Sequence, residues 1–192
     1  PSSKSESNRA LIIRALSGKC FKIKNLSEAE DTKILETILT PNSQLPTPNS
    51  LFNAGAAGTV MRFLTAFFSV QEGKEIILTG TQRMKERPVK ILVDALRELG
   101  ADIEYLEKPG YPPLKIRGKN LTGGKIIIDG SISSQYISAL LMIAPILKNG
   151  INIEFKGEII SKPYMDMTLK IMEHFGVKYS IHKNSIFVKN QK

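Results

Sequence analysis

Arg83-Met84-Lys85-Glu86-Arg87-Pro88 places three cations within five residues. The stretch follows Ile76-Ile77-Leu78, an apolar run that reads as a strand, and precedes a well-marked helix. Pro88 suits a first helical turn, where its missing N–H would have no partner anyway. Val89, Leu92, Val93, Leu96 and Leu99 then fall on one helical face, and Gly100 supplies the stop. Arginines at the mouth of a strand–loop–helix connection stand where anions are commonly bound. Read alone, the cluster is as much a solvated basic run as an anion site, so the rest of the chain has to decide.

The same order returns downstream. Ile153-Glu154-Phe155, a loop, Pro163, a helix through Phe175, Gly176 and Val177-Lys178-Tyr179 repeat what residues 75–106 do. Gly80 and Gly157 are 77 positions apart, and Gly100 and Gly176 are 76 apart. A repeat of that length is a whole supersecondary unit, too long for a solenoid. Each unit also has an earlier helix. Residues 57–70, with Met61, Leu64, Phe67 and Phe68, are apolar nearly all round, which predicts a central, buried helix. Residues 134–147, with Ile137, Leu140, Leu141 and Ala144, are similar, and Pro145 should end or bend the last turn.

A shorter first unit reads as helix 8–17, strand 20–24 and helix 28–39, with Ser27 and Glu30 as a capping box for the second helix. Between it and the next unit, Thr-Pro-Asn-Ser occurs twice from Thr40 to Ser50, and three prolines make this a loop. Hairpins are expected at 102–118 and 177–190. No linker divides the chain into two cores. The expectation is a single α/β (α+β) domain over 1–192, in three units of about 1–51, 52–118 and 119–192, with buried helices surrounded by sheets. The chain opens on Pro1 without an initiator methionine, straight before a helix, which reads as a sequence whose upstream part is absent.

Composition narrows the function classes. At 192 residues, with 42% hydrophobic and 23% charged residues, the chain can bury a sizeable core. Cys20 is the single cysteine, so no intrachain disulfide can form, and this fits a reducing compartment. His174 and His182 supply no convincing metal cluster. The longest uncharged stretch, within 130–147, carries serines, a glutamine and a proline, which reads as a buried helix and not as a membrane span. A formal charge of +9 first suggests nucleic acid. Yet the basic residues are dispersed, tryptophan is absent and no nucleic-acid motif is present, so an anion-binding cleft with lysine-rich surfaces is favoured.

Five segments carry a more specific signal: Lys4-Ser5-Glu6-Ser7-Asn8-Arg9, Gly58-Thr59-Val60-Met61-Arg62, the Arg83–Pro88 stretch, Ser131-Ile132-Ser133-Ser134-Gln135 and Ser161-Lys162-Pro163-Tyr164. In this order, over nearly the whole chain, they resemble the 3-phosphoshikimate 1-carboxyvinyltransferase (EPSP synthase) family. The resemblance implies one domain of a two-domain inside-out α/β barrel, each domain built of three βαβαββ-like units with the active site between the two. It implies the shikimate-pathway transfer of an enolpyruvyl group from phosphoenolpyruvate to the 5-hydroxyl of shikimate 3-phosphate, in the cytoplasm, without a metal or an organic cofactor. The partners implied are those two small molecules and a C-terminal domain absent from this sequence, with no role for nucleic acid or a membrane.

Both substrates carry a phosphate and a carboxylate, which Arg, Lys, serine hydroxyls and helix N-termini hold well. By resemblance, Lys4 reaches both substrates, while Ser5 and Arg9 take the shikimate side, Arg9 on its carboxylate. Ser133, Ser134 and Ser161 take the shikimate phosphate, Gln135 bridges the substrates and Tyr164 packs beside the shikimate ring. Gly58 and Arg87 take phosphoenolpyruvate, with Thr59, Arg62 and Arg83 as additional candidates. Each segment also has a plainer reading. The Lys4–Arg9 turn and the Ser133-Ser134 pair are equally ordinary helix caps, and so is the Pro163 start. Arg62, the only charge on its helix, needs a partner that is either ligand or structural carboxylate. Lys85 and Glu86 are either solvated or paired with each other.

One departure stands out. Where the family often has asparagine two residues before the glycine, this sequence has Ala56, and Asn53 lies three positions too early. The acid and base that proton transfer requires are implied to come from the second domain, so this chain is expected to hold half a site and to be inactive alone. The related UDP-N-acetylglucosamine enolpyruvyl transferases differ at the first motif and carry a loop cysteine, whereas Cys20 falls in an expected strand. RNA 3'-phosphate cyclase shares the architecture but not the motifs. The reading from another class is a non-catalytic basic module that binds anions or nucleic acid.

Overall fold

The computed structural model describes residues 3–19, 21–40 and 50–191. In chain order it contains α1 (Lys4–Ser17), α2 (Glu30–Leu39), β1 (Ser50–Asn53), α3 (Gly58–Ser69), β2 (Glu75–Thr79), α4 (Gln82–Lys85) and α5 (Lys90–Glu98). These are followed by β3 (Asp102–Tyr105), β4 (Leu114–Arg117), β5 (Gly124–Asp129), α6 (Ser134–Ile143), β6 (Ile151–Lys156), α7 (Lys162–His174), β7 (Tyr179–His182) and β8 (Ser185–Val188). A 3-10 turn over Ala144–Ile146 follows α6, because Pro145 cannot continue an α-helical ladder.

The repeat seen in the sequence is a repeat in space. One sheet has the order β1-β2-β4-β3 and the other β5-β6-β8-β7. In each, the first two strands are parallel, and the last two form an antiparallel hairpin that returns to the centre. The parallel pairs need crossovers, which α3 and α6 supply. Each sheet buries one face: Ile76, Leu78, Leu114 and Ile116 point inward from the first, and Ile126, Ile151, Ile153 and Ile186 from the second.

Between the sheets lie α3 and α6, both apolar and buried over most of their lengths. Phe63, Leu64, Ile137, Leu140 and Leu141 are fully enclosed. Helices with no polar face need cover all round, and the two sheets together with α1, α5 and α7 give it. Gly100 (φ 104°) and Gly176 (φ 90°) end α5 and α7 in the left-handed region that favours glycine. Among the described residues, no helix is long and apolar enough to cross a membrane.

The first unit departs from the expectation. Residues 21–24 form no strand, and Cys20 lies outside the described residues, as does most of the expected Thr40–Ser50 loop. Among the described residues this unit consists of α1 and α2 without a strand. The Ser27–Glu30 capping box is also absent. Ala29 is the N-cap, without a side-chain bond, and Glu30 is the first helical residue, too early to reach back as the third should. The Ser27 hydroxyl instead accepts from the Ala29 N–H. Ser50–Asn53 pairs with β2.

Pro88 does not open a helix either. The basic loop itself winds into α4, and α5 starts at Lys90 with Val89 as its N-cap. Pro88 thus lies just outside, and its carbonyl is used in the site described below.

Candidate active site

Four helices, α1, α3, α6 and α7, are tied together within their first two turns by the side chains of two buried arginines. Lys4 to Arg9, expected as a turn, are already helical, with Ser3 as N-cap accepting from the Glu6 N–H. This places Arg9 one turn inside α1 on its buried face, 2% exposed. Its Nη1 donates to the Ser5 carbonyl at 2.8 Å, its Nε to Thr168 Oγ1 on α7 at 2.7 Å, and its Nη2 to Ser138 Oγ on α6 at 2.9 Å. The guanidinium also lies over the Phe63 ring of α3, 5.4 Å from its centre. Burial pushes the Arg9 pKa down to about 10, with the nearby Tyr164 acting in the opposite direction. Arg9 is therefore still a cation at neutral pH.

Arg62 is the second buried arginine, 5% exposed. Its Nη1 donates to the Gly58 carbonyl at 2.9 Å, and its Nη2 to the Pro88 carbonyl at 3.1 Å and to the Tyr136 hydroxyl at 3.4 Å. Its partners among the described residues are thus two backbone carbonyls and a phenol, with no carboxylate among them. Its buried Nε has no partner. Tyr136 donates to the same Pro88 carbonyl at 2.8 Å, and its ring lies 5.1 Å from the Arg62 guanidinium carbon.

Arg87, half-buried, comes to the same place. Its Nη1 is 3.5 Å from the Ala56 carbonyl. A Cβ built on Gly58 would lie 2.5 Å from Arg62 Nη1 and 2.6 Å from Arg87 Nη1. Two guanidiniums therefore converge on the start of α3, where the free N–H groups of a first helical turn also favour an anion.

Among the described residues, none of Arg9, Arg62, Arg83 and Arg87 is ion-paired with a carboxylate. The lysines of the motifs are. Lys4 pairs with Asp31 on α2 at 3.0 Å, and Lys85 pairs with Glu107 at 2.7 Å, not with Glu86. Glu86 instead accepts from Gln82. Buried cations held only by neutral oxygens leave positive charge uncompensated, and such an arrangement can receive phosphates and carboxylates.

The other sequence candidates lie around these arginines. Ser133 is the N-cap of α6 and accepts from the Gln135 N–H at 3.4 Å; it is exposed, Ser134 is buried and Gln135 is half-buried. Ser161 is the N-cap of α7, without a side-chain cap bond, and Tyr164 is 49% exposed one turn before Thr168. The Tyr164 carbonyl accepts from Thr168 Oγ1, which ties this turn to Arg9. Thr59 is half-buried in the first turn of α3, while Arg83 is exposed on α4. Asn53 does not reach forward: its Oδ1 accepts from the Gly55 N–H at 2.8 Å, closing the turn before α3.

Sequence reasoning missed Tyr136, Ser138 and Thr168. The signal was available in the last two, hydroxyls on the apolar faces of α6 and α7, where a buried polar group must find a partner. A hollow of about 1310 Å³ lies elsewhere, between residues 21–29 and helices α1 and α7, lined by groups such as Phe21, Leu26, Ile171 and Phe175. It touches none of these arginines.

A family model described as EPSP synthase (3-phosphoshikimate 1-carboxyvinyltransferase) matches residues 33–192. The chain belongs to the EPSP synthase family. It is 52% identical over 180 residues to the 3-phosphoshikimate 1-carboxyvinyltransferase of Bacteroides fragilis (strain YCH46), covering 94% of this chain and 42% of that protein. It is 48% identical over 205 residues to the one of Haemophilus influenzae (strain PittEE), covering 95% and 47%. The fold matches the EPSP synthase from Acinetobacter baumannii with a TM-score of 0.80 at 23% identity, over 100% of this chain and 47% of that one. Two sheets around buried helices thus correspond to one domain of the two-domain EPSP synthase fold. The chain spans about half the length of the curated relatives it matches.

Proposed function

We propose that this chain forms half of the active site of a 3-phosphoshikimate 1-carboxyvinyltransferase, a transferase of the shikimate pathway that leads to chorismate and the aromatic amino acids. In this reading the 5-hydroxyl of shikimate 3-phosphate adds to C2 of phosphoenolpyruvate while C3 takes up a proton. The tetrahedral intermediate then loses phosphate from C2 and a proton from C3, leaving the enolpyruvyl ether. The reaction needs no redox partner, and the reading assigns it neither cofactor nor metal.

The observation that carries this reading is the pair of buried arginines, Arg9 and Arg62, held by neutral oxygens at adjoining helix starts, with Arg87 beside them. Arg9, Ser133, Ser134 and Ser161 surround the shikimate side, with Lys4, Ser5 and Tyr164 next to them. Gly58 and Arg87 receive phosphoenolpyruvate, supported by Thr59, Arg62 and Arg83, and Gln135 stands between the two. Half the length of the relatives is outside this chain, and a second domain of that size would supply the acid and base and exclude water. The partners in this reading are the two small molecules and that domain, not nucleic acid or a membrane, and the setting is the cytoplasm.

Calorimetric titration of shikimate 3-phosphate into the chain tests it, with Arg9→Ala and Ser134→Ala as controls. Saturable binding weakened by both substitutions is the expected result. Binding indifferent to both, or absent, would reject the assignment of the shikimate half-site to this chain.

A further inference from the structure

Gly58 and Arg87 belong to different segments, one opening α3 and the other lying between α4 and α5. Besides the contact of Arg87 Nη1 with the Ala56 carbonyl, a small set of polar contacts to the Pro88 carbonyl ties them together. That oxygen accepts from Tyr136 at 2.8 Å and from Arg62 at 3.1 Å, while Arg62 also holds the Gly58 carbonyl at 2.9 Å. Pro88 has no N–H of its own, so its carbonyl is the backbone group by which this point of the chain can be anchored.

We infer that Tyr136 is a positioning residue for the phosphoenolpyruvate side of the site, acting through the Pro88 carbonyl and Arg62 on Arg87 and Gly58. The inference rests on the proposed assignment of Gly58 and Arg87 to that substrate. Tyr136 does not meet the reacting atoms in this scheme: it is 6% exposed, and its hydroxyl faces the Pro88 carbonyl. Its ring lies against the Arg62 guanidinium, which restricts that cation to one plane.

The need for a brace follows from charge. The Arg62 and Arg87 guanidiniums both approach the Gly58 Cα, to 2.5 and 2.6 Å from where a Cβ would be. Like charges so placed repel one another unless an anion lies between them. Without a bond from Tyr136, the Pro88 carbonyl keeps only the longer one from Arg62, and the Arg87-Pro88 segment, still tied through the Arg87 and Val89 N–H groups, is held less closely against α3. Tyr136 also directly follows Gln135. The turn that the proposal assigns to both substrates is thereby also joined to the phosphoenolpyruvate side.

Tyr136→Phe keeps the ring and removes only the hydroxyl. The test is titration of phosphoenolpyruvate, and separately of shikimate 3-phosphate, into the isotope-labelled chain, followed by amide chemical shifts. Unaltered chain, Tyr136→Phe and Arg87→Ala are compared. Tyr136→Phe is expected to weaken phosphoenolpyruvate binding about three- to tenfold, as loss of one hydrogen bond does, with shikimate 3-phosphate binding unchanged and the spectrum otherwise native. Unchanged phosphoenolpyruvate binding in Tyr136→Phe, where Arg87→Ala lowers it, would overturn the assignment of Tyr136 alone. Equal weakening of both ligands would do the same, because that is what general packing damage gives. If Arg87→Ala binds phosphoenolpyruvate like the unaltered chain, or the unaltered chain never saturates, the underlying reading of the site falls and takes this inference with it.

Discussion

Arg9 donates to Thr168 across 159 positions of sequence, at 2.7 Å, in a fully buried contact. The Thr168 hydroxyl also lies 2.8 Å from Ser138 Oγ and 2.8 Å from the Tyr164 carbonyl. One arginine thus joins the first, sixth and seventh helices through neutral oxygens, and its charge is left for something else to meet. A hydrogen bond to a charged donor is worth more than a neutral one, and an orphaned buried donor costs its full desolvation.

Thr168→Val keeps the shape and removes the oxygen. It should lower the stability of the chain by about 1–3 kcal/mol, read as a shift in the urea midpoint, and it should weaken shikimate 3-phosphate binding by freeing Arg9 to rotate. An unchanged midpoint would mean that Ser5 and Ser138 suffice to hold the guanidinium.

Gly58→Ala should act on the phosphoenolpyruvate side, at the point where two guanidiniums meet α3. Gly58 is the first residue of α3, where alanine is at least as good a helix former. Its Cβ would stand 2.5 Å from Arg62 Nη1 and 2.7 Å from Arg87 Cζ; half-buried Arg87 can swing away, whereas buried Arg62 can yield only by straining its bonds to Gly58 and Pro88. The expected outcome is a loss of stability of about 1–3 kcal/mol from the disturbed Arg62 bonds, with phosphoenolpyruvate affinity reduced about tenfold or more by the displaced cations. Full retention of affinity would place that ligand away from the start of α3.

The parts of this architecture that repeat were legible in the sequence because each unit repeats its own punctuation. Gly100 and Gly176 stop helices at matching places, and the all-round apolar stretches 57–70 and 134–147 can only be interior. What sequence could not give were features decided by tertiary partners. Pro88 reads as a helix start by local preference, yet Arg62 and Tyr136 draw its carbonyl into the site and α5 begins two residues later. The strand expected at 20–24 as part of a shorter first unit does not form: residues 21–24 pair with no strand among the described residues. Arg62 is legible as a lone charge in an apolar helix, but its carbonyl partners lie on the backbone, which side-chain patterns do not reveal.

Gly118→Ala should be costly without touching the site. A Cβ there would lie 1.9 Å from the Gln71 carbonyl oxygen and 2.8 Å from that of Phe68. Both are backbone atoms just after or within the last turn of α3, so no rotamer change relieves the clash. Gly118 is also bonded on both sides, its N–H to the Lys74 carbonyl and its carbonyl to the Gly73 N–H. A loss of about 1–3 kcal/mol is expected from overpacking of this kind, measured by thermal unfolding, and an unchanged melting temperature would mean that β4 and the end of α3 can part without cost.

Acid should loosen the sheet formed by β1 to β4 through its outer face. Glu75 accepts from Lys115 at 3.0 Å and from Arg117 at 2.9 Å, and Asp102 accepts from Lys119 at 3.0 Å and from Arg117 at 3.2 Å. The bond from Lys115 holds the Glu75 carboxyl below its ordinary 4.5, with Arg117 adding to it against partial desolvation. Lys119, then Arg117, hold Asp102 below 3.8 in the same way. A carboxyl whose folded pKa lies below its unfolded one binds fewer protons when folded, so its contribution is complete above the unfolded value and disappears as pH falls through the folded one. Urea midpoints should therefore be steady from pH 7 to about 5 and fall below pH 4.5. Molar salt should flatten that fall, because these groups are near the surface and are screened. Glu75→Gln should start lower at pH 7 and lose less on acidification. If Glu75→Gln declines as steeply as the unaltered chain, the acid sensitivity belongs to other carboxyls, and this ladder of charges is only a solvated surface.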